Sequence, residues 1–278
     1  MDPRPIGVFD SGLGGLTAVR ELTRLLPGED VVYFGDTGRV PYGSRGRDSI
    51  IRFARQDVAF LLQRGVKAVV CACGTISTVA GALLQKTLDV PFFMVVDPSC
   101  RAAAKATRTG RMGVIATNAT IASGSFQARL GELAPGAQVF SAACPLLVPL
   151  VEAGHIAPDD PITAPAVRYY LEPLAQRDID TLILGCTHYP ILAPAIRRFF
   201  GDGVALIDSG QQAALAVAGF LAEAGMLSGR EAGGACTYYV TDDPRGFAKT
   251  AGIFLGTRVD DRAVQVDLGV LEGMNSEQ

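Results

Sequence analysis

Short apolar runs, each closing on small or polar residues and each followed by a helical stripe, divide this chain from end to end. Residues 6–9 are apolar and lead into Asp10 and Ser11-Gly12-Leu13-Gly14-Gly15. Leu16, Val19, Leu22 and Leu26 then recur at helical spacing until Pro27-Gly28. Residues 31–34 form a second run, closing on Gly35-Asp36. Ile50, Ala54, Val58, Leu61 and Leu62 mark a helix stopped by Gly65. Residues 66–72 and 91–96 read as a third and a fourth strand, the latter ending at Asp97-Pro98. Strands that alternate with helices belong to parallel sheets covered by helices on both faces. Apolar runs without polar alternation fit such a sheet, because both of its faces are buried.

The pattern then restarts. Residues 112–116, 139–141, 181–184 and 204–207 read as strands, the last closing on Asp208-Ser209-Gly210. An Ala-rich helix, a strand at 237–240 and a helix at Pro244–Leu255 follow. Residues 257–278 read as a tail with an edge strand at 264–268. The 278 residues suffice for two cores, at roughly 150 per domain. Glycine is frequent, at 32 residues with no G-X-Y period, so it reflects tight turns and close backbone approaches. The net charge of −3 argues against a general nucleic-acid binder. No apolar run approaches the ~20 residues of a membrane span, and the N-terminus has no signal-peptide core. A soluble cytoplasmic protein is expected, with six cysteines held as buried hydrophobes or reactive thiols.

The restart looks like a duplication. Ile6-Gly7-Val8-Phe9 matches Met112-Gly113-Val114-Ile115, and the run before Cys73-Gly74-Thr75 matches the run before Cys186-Thr187. Gly7 to Cys73 spans 66 residues and Gly113 to Cys186 spans 73. Each half thus ends a strand in a cysteine with a threonine close behind. Open α/β sheets place ligands at such strand ends. A thiolate is both a nucleophile and a carbon-acid base once its pKa is lowered. Cys71, Cys100, Cys144 and Cys236 read as buried packing residues.

Other chemistries compete for these residues. Cys71-x-Cys73 with Cys186-x-His188 offers thiolates and an imidazole to a metal, but at spacings unlike usual zinc knuckles. Gly12-x-Gly14-Gly15 with Asp36 suggests a dinucleotide site, yet Thr17 stands where the third glycine or an alanine is wanted. Asp10 and Ser11 suit a cap on the Leu16 helix as well as a place in a site. His188, two residues beyond Cys186, suits a proton carrier. His155 reads as a surface residue. Pro41-Tyr42-Gly43-Ser44 has the hydroxyls and free backbone N–H groups of a ligand loop.

Taken in order, several segments resemble the glutamate racemases of the aspartate/glutamate racemase superfamily. They are Phe9-Asp10-Ser11-Gly12-Leu13-Gly14-Gly15, Asp36, Pro41-Tyr42-Gly43-Ser44, the Cys73 strand end, Cys144-Pro145, Pro149-Leu150-Val151-Glu152, Gly185-Cys186-Thr187-His188-Tyr189-Pro190, Asp208-Ser209-Gly210 and Asp243-Pro244-x-x-Phe247. The resemblance implies two pseudo-symmetric flavodoxin-like α/β domains, each with a mostly parallel sheet flanked by helices, and an active site in the cleft between them. Residues 1–96 with 208–278 would form the first, and 97–207 the second. It implies interconversion of L- and D-glutamate at Cα, without metal or organic cofactor, supplying D-glutamate for peptidoglycan. Cys73 and Cys186 would be the two bases, Cys186 acting on L-glutamate and Cys73 on D-glutamate. Asp10, Glu152 and His188 would assist. Asp10, Ser11, Pro41, Tyr42, Gly43, Ser44, Gly74, Thr75, Thr187 and His188 would bind substrate. A homodimer is also implied, with no nucleic-acid or membrane partner. An aspartate or other small-acid racemase or isomerase of the same superfamily is the alternative.

One position departs from the family pattern: Cys73-Gly74-Thr75 stands where Cys-Asn-Thr is usual. Glycine removes a side-chain donor, so Gly74→Asn is expected to be tolerated and to lower KM.

Overall fold

Residues 68–71 and 181–184 are buried along their whole length, as strands covered on both faces must be. Each lies inside a parallel sheet in this computed structural model, which describes residues 1–259 and 263–274. The strands are β1 Ile6–Asp10, β2 Val31–Gly35, β3 Ala68–Cys71, β4 Phe92–Met94, β5 Arg111–Ala116, β6 Gln138–Ala143, β7 Thr181–Leu184, β8 Ala205–Asp208, β9 Cys236–Val240 and β10 Ala263–Gln265. Among the described residues they form a six-stranded sheet ordered β10-β9-β2-β1-β3-β4 and a four-stranded sheet ordered β6-β5-β7-β8. All pairings are parallel. Helices flank both sheets, and the architecture is two flavodoxin-like halves, as expected.

The register positions the chemistry. Phe9 pairs with Cys71, so Asp10 and Cys73 leave neighbouring strands at the same edge. Ile115 pairs with Leu184, so Thr117 and Cys186 do the same in the second sheet.

Helix Leu16–Leu25 buries Leu16, Val19 and Leu22 in the main core. There they meet Ala213, Val217 and Leu221 of helix Ser209–Glu223. Each buried leucine contributes about 1.5–3 kcal/mol. This packing ties the returning chain to the first sheet. Asp208 caps the second of these helices by accepting from Gln211 N–H at 3.0 Å. Helix Arg47–Gln63 stops before Gly65, whose φ of +68° suits glycine.

Several boundaries differ from the sequence reading. The fourth strand stops at Met94, and 96 already begins helix Val96–Ala106. Pro98 lies in its first turn, where its missing N–H costs nothing. Asp10 and Ser11 do not cap helix Leu16–Leu25; Gly15 occupies that place, with no side-chain cap. Cys236 is half-buried rather than buried. The edge strand is Ala263–Gln265, and helix Leu268–Gly273 begins where that strand was expected to end. Asp267 caps this helix, accepting from Gly269 N–H at 2.7 Å. The remainder of the expected tail, at 260–262 and 275–278, lies outside the described residues. No described helix is long and apolar enough to cross a membrane.

Candidate active site

The carboxyl ends of both sheets line a single cavity of about 390 Å³, a size typical of small-molecule sites. Ser11, Pro41, Tyr42, Gly43, Ser44, Cys73, Gly74 and Thr75 face it from the first sheet's side. Glu152, Cys186, Thr187 and His188 face it from the second. Asp10 does not line the cavity. It is buried behind Ser11 and Gly12, and its Oδ2 accepts from Gly12 N–H at 2.9 Å. Its Oδ1 has no hydrogen-bond partner among the described residues.

The two thiols have unlike neighbours. Cys73 donates to the Ser11 hydroxyl at 3.6 Å. Burial, and then the Asp10 carboxylate beside it, push its thiol up to about 12. Asp10 is itself raised, first by burial, against the lowering charge of His188. Cys186 instead faces His188 Nδ1 at 3.9 Å, and His188 Nε2 meets Glu152 Oε1 at 2.9 Å. Burial alone would lower His188. Its hydrogen bonds to Cys186 and Glu152, with their charges, outweigh that and raise it to about 10. The Phe254 ring stands at 87° to the His188 ring with centroids 5.1 Å apart. Gly14 runs so close to the imidazole that a Cβ there would fall 2.5 Å from Nδ1.

The loop before Ser44 is fixed from beneath. Tyr42 turns its hydroxyl away from the cavity onto Asp36, with Asp57 Oδ2 at 3.5 Å. Arg39 joins both carboxylates, through Nε to Asp36 at 2.6 Å and through a terminal nitrogen to Asp57 at 3.2 Å. Thr241 donates to Asp36 at 2.8 Å. Asp36, which had suggested a ribose ligand, is therefore part of a buried support.

Thr117 and Asn118 also line the cavity, and the sequence reading missed them. Extending the internal repeat by a few residues finds them, since Gly7 over Gly113 places Ser11 over Thr117 and Gly12 over Asn118. Thr117 Oγ1 lies 2.9 Å from Thr75 Oγ1 and so joins the two halves across the site. The other cysteines are elsewhere: Cys100 and Cys144 are buried away from the cavity, and Cys71 donates to Cys73 O at 3.6 Å. His155 is half-buried, 3.0 Å from Asp160. Among the described residues no group of three or more His, Cys, Asp or Glu side chains is arranged to hold a metal.

Gly74 bears on an expectation. A Cβ there would stand 2.3 Å from the carbonyl oxygen of Gly185, so on this backbone asparagine enters only with a shift of the Gly74 or Gly185 loop, and the tolerance of Gly74→Asn depends on that shift.

Residues 6–217 match the family model described as Asp/Glu/Hydantoin racemase. Glutamate racemase of Geobacter metallireducens is 41% identical over 258 residues, covering 93% of this chain and 95% of its own. Glutamate racemase of Neisseria meningitidis serogroup A is 45% identical over 267 residues, covering 96% and 97%. The crystal structure of glutamate racemase from Francisella tularensis in complex with D-glutamate has a TM-score of 0.89 to this chain at 37% identity, covering 97% of this chain and 100% of that one. With this identity extending over nearly its whole length, the chain belongs to the Asp/Glu/Hydantoin racemase family and is a racemase, an enzyme of the isomerase class.

Proposed function

We propose that the enzyme interconverts L- and D-glutamate by removing the Cα proton on one face and returning a proton on the other, with Cys186 and Cys73 as the two bases and no metal or organic cofactor. One observation carries this: the two thiols, brought by different sheets, line the same cavity. The Francisella relative was crystallised with D-glutamate, and we extend that substrate to this chain.

With L-glutamate, the Cys186 thiolate takes the Cα proton. His188, kept protonated at neutral pH by its partners, supplies the positive charge that thiolate needs. Cys73, whose pKa of about 12 keeps it a thiol at rest, gives its proton to the opposite face. D-glutamate runs the same path backwards, with Asp10 assisting Cys73. The developing carbanion is a weak acid's conjugate base and needs hydrogen-bond donors already aimed at the substrate carboxylate. Hydroxyls of Ser11, Ser44, Thr75 and Thr187, and backbone N–H groups at Gly43 and Gly74, serve there. The units 1–96 with 208–278 and 97–207 would close on the substrate between them. The role in the cell would be D-glutamate supply for peptidoglycan, by a cytoplasmic homodimer, on the resemblance alone.

Circular dichroism of the purified protein with L-glutamate, D-glutamate and L-aspartate tests this. Loss of optical activity from both glutamates, with aspartate unchanged, is expected. Turnover of aspartate alone would assign the aspartate reaction, and no change in any of them would overturn the proposal.

A further inference from the structure

The turn that carries His188 is tied to the other sheet by a buried hydroxyl. Thr187 and His188 follow β7 of the smaller sheet, whereas Thr17 lies in the first turn of helix Leu16–Leu25, after β1 of the larger one. Thr17 is fully buried, and its Oγ1 stands 2.9 Å from Gly14 O and 3.1 Å from Thr187 O. The Thr17 N–H already donates to Gly14 O at 3.0 Å, so the hydroxyl proton is left for Thr187 O. That oxygen finds no partner in its own turn. Three residues on stands Pro190, which has no N–H, and the N–H of Ile191 goes to His188 O at 3.2 Å. Among the described residues, Thr17 is the donor that Thr187 O meets. We propose that Thr17 is a positioning residue: its hydroxyl clamps the Thr187–His188 turn onto helix Leu16–Leu25 and so holds the imidazole against the Cys186 sulfur. The consequence for catalysis rests on the two-thiol reaction proposed above. The residue that spoils the dinucleotide fingerprint thus has a task of its own, which the glycine or alanine wanted there could not perform.

The same helix governs other contacts of the ring. Arg20, three residues on and so on the same face, donates to Phe254 O at 3.3 Å, and the Phe254 ring meets that of His188 edge to face. Gly14, just before the helix, lays its backbone on the turn: a Cβ there would fall 2.1 Å from Thr187 Oγ1. The contact that the clamp protects has little slack. Cys186 Sγ and His188 Nδ1 are 3.9 Å apart, already long for a hydrogen bond to sulfur. Without the hydroxyl, a buried carbonyl is left unpaired, and the turn must shift to find another donor. Roughly 1 Å of misplacement at a reacting group costs on the order of 10²-fold in rate. Thr17 does not line the cavity, so it acts through His188 and not on substrate.

The test uses the full chain, which has two histidines, His155 and His188. Thr17→Val and Thr17→Ala lose the hydroxyl, and Thr17→Ser keeps it. Each is compared with the parent for kcat and KM in both directions. Both imidazoles are titrated by NMR on protein carrying isotope-labelled histidine, with His155→Gln to assign the signals. Cys186, Glu152 and Asp10 are the ionisable groups coupled to His188, and the Cys186 hydrogen bond is the one the turn controls. The valine and alanine variants should lose about 10- to 100-fold in kcat with a smaller change in KM. Their His188 should titrate roughly 1 unit below the parent's, while His155 stays in place. Serine should restore most of the rate and the parental titration. Parental kcat in a folded variant without the hydroxyl, an unmoved His188 titration, a shift shared by His155, or a serine variant as slow as valine would each overturn the inference. If neither valine nor alanine folds, a crystal structure of the parent decides: the Thr17 hydroxyl should lie within hydrogen-bond distance of Thr187 O, and a turn free of it would overturn the clamp. A parent that leaves glutamate unchanged, while His188 responds to Thr17 as expected, would count against the proposed reaction and not against the clamp.

Discussion

Glu152 Oε1 stands 2.9 Å from His188 Nε2, on the side of the ring away from the Cys186 sulfur. The imidazole therefore sits between a carboxylate and a thiol, and both of its N–H groups have acceptors when it is protonated. Removing the carboxylate should weaken the hold on that proton. Glu152→Gln is expected to move the alkaline limb of kcat/KM to lower pH by roughly 1 unit, the scale of one opposite-charge contact near solvent. An unmoved limb would show that Glu152 does not set the charge of His188. The same raised pKa bears on stability. The folded value of about 10 lies above the ordinary 6.5, so the contribution of this arrangement is complete below about pH 6.5 and is lost as pH rises through about 10.

Replacing Cys73 or Cys186 by alanine should each reduce racemisation by at least roughly 10²–10⁴-fold, the usual weight of a positioned acid or base. Cys100→Ala and Cys236→Ala should keep most of the rate, since neither lines the cavity. Cys100 is fully buried, and its loss should cost about 1 kcal/mol of stability. Equal loss of activity in all four folded variants would remove the distinction between the two pairs.

Beneath Tyr42 a different kind of dependence is expected. Asp57 is held well above the ordinary carboxylate range, by burial first and by Asp36 second. That shift favours the protonated form, which asparagine imitates. Asp57→Asn should change stability by no more than about 1 kcal/mol. Its melting temperature should also fall less than the parent's as pH rises, because a carboxyl raised on folding loses stability in that direction. Arg39→Ala leaves Asp36 buried without its cation and should cost about 3–5 kcal/mol. Differential scanning calorimetry across pH separates these outcomes.

Isotopes report on the number of bases. In D₂O at low conversion, D-glutamate formed from L-glutamate should carry deuterium at Cα, while the remaining L-glutamate stays protiated. Proton NMR of the early product measures this. Substantial protium in that product would mean that one base serves both faces, even if both cysteines prove essential.

The strands and the two thiols were readable from the residues because both follow from local pattern. An apolar run with covered faces has one place in a parallel sheet, and the residue that ends it must come out at the carboxyl edge. Cys73 and Cys186 obey that rule. What escaped depends on distances between segments remote in sequence. The collision that a side chain at Gly74 would make with Gly185 is invisible along the chain. So is the approach of Phe254, which reaches the ring of His188 from a helix near the end of the molecule. Asp10 misled because a carboxylate before a helix has the composition of a cap, while its partner is the N–H of Gly12. Thr117 and Asn118 were within reach, one step beyond where the repeat was compared.

The interrupted order of the six-stranded sheet bears on how the chain is made. As the polypeptide leaves the ribosome, β1 to β4 emerge first, but their sheet lacks β9 and β10 until the last segment is delivered. β5 to β8 come out consecutively and need no later strand. The smaller sheet should thus mature during synthesis while the larger one waits, with the outer edge of β2 exposed until β9 arrives. Pulse-labelled hydrogen exchange on arrested nascent chains should find 111–208 protected before 6–94, and the opposite order would refute it.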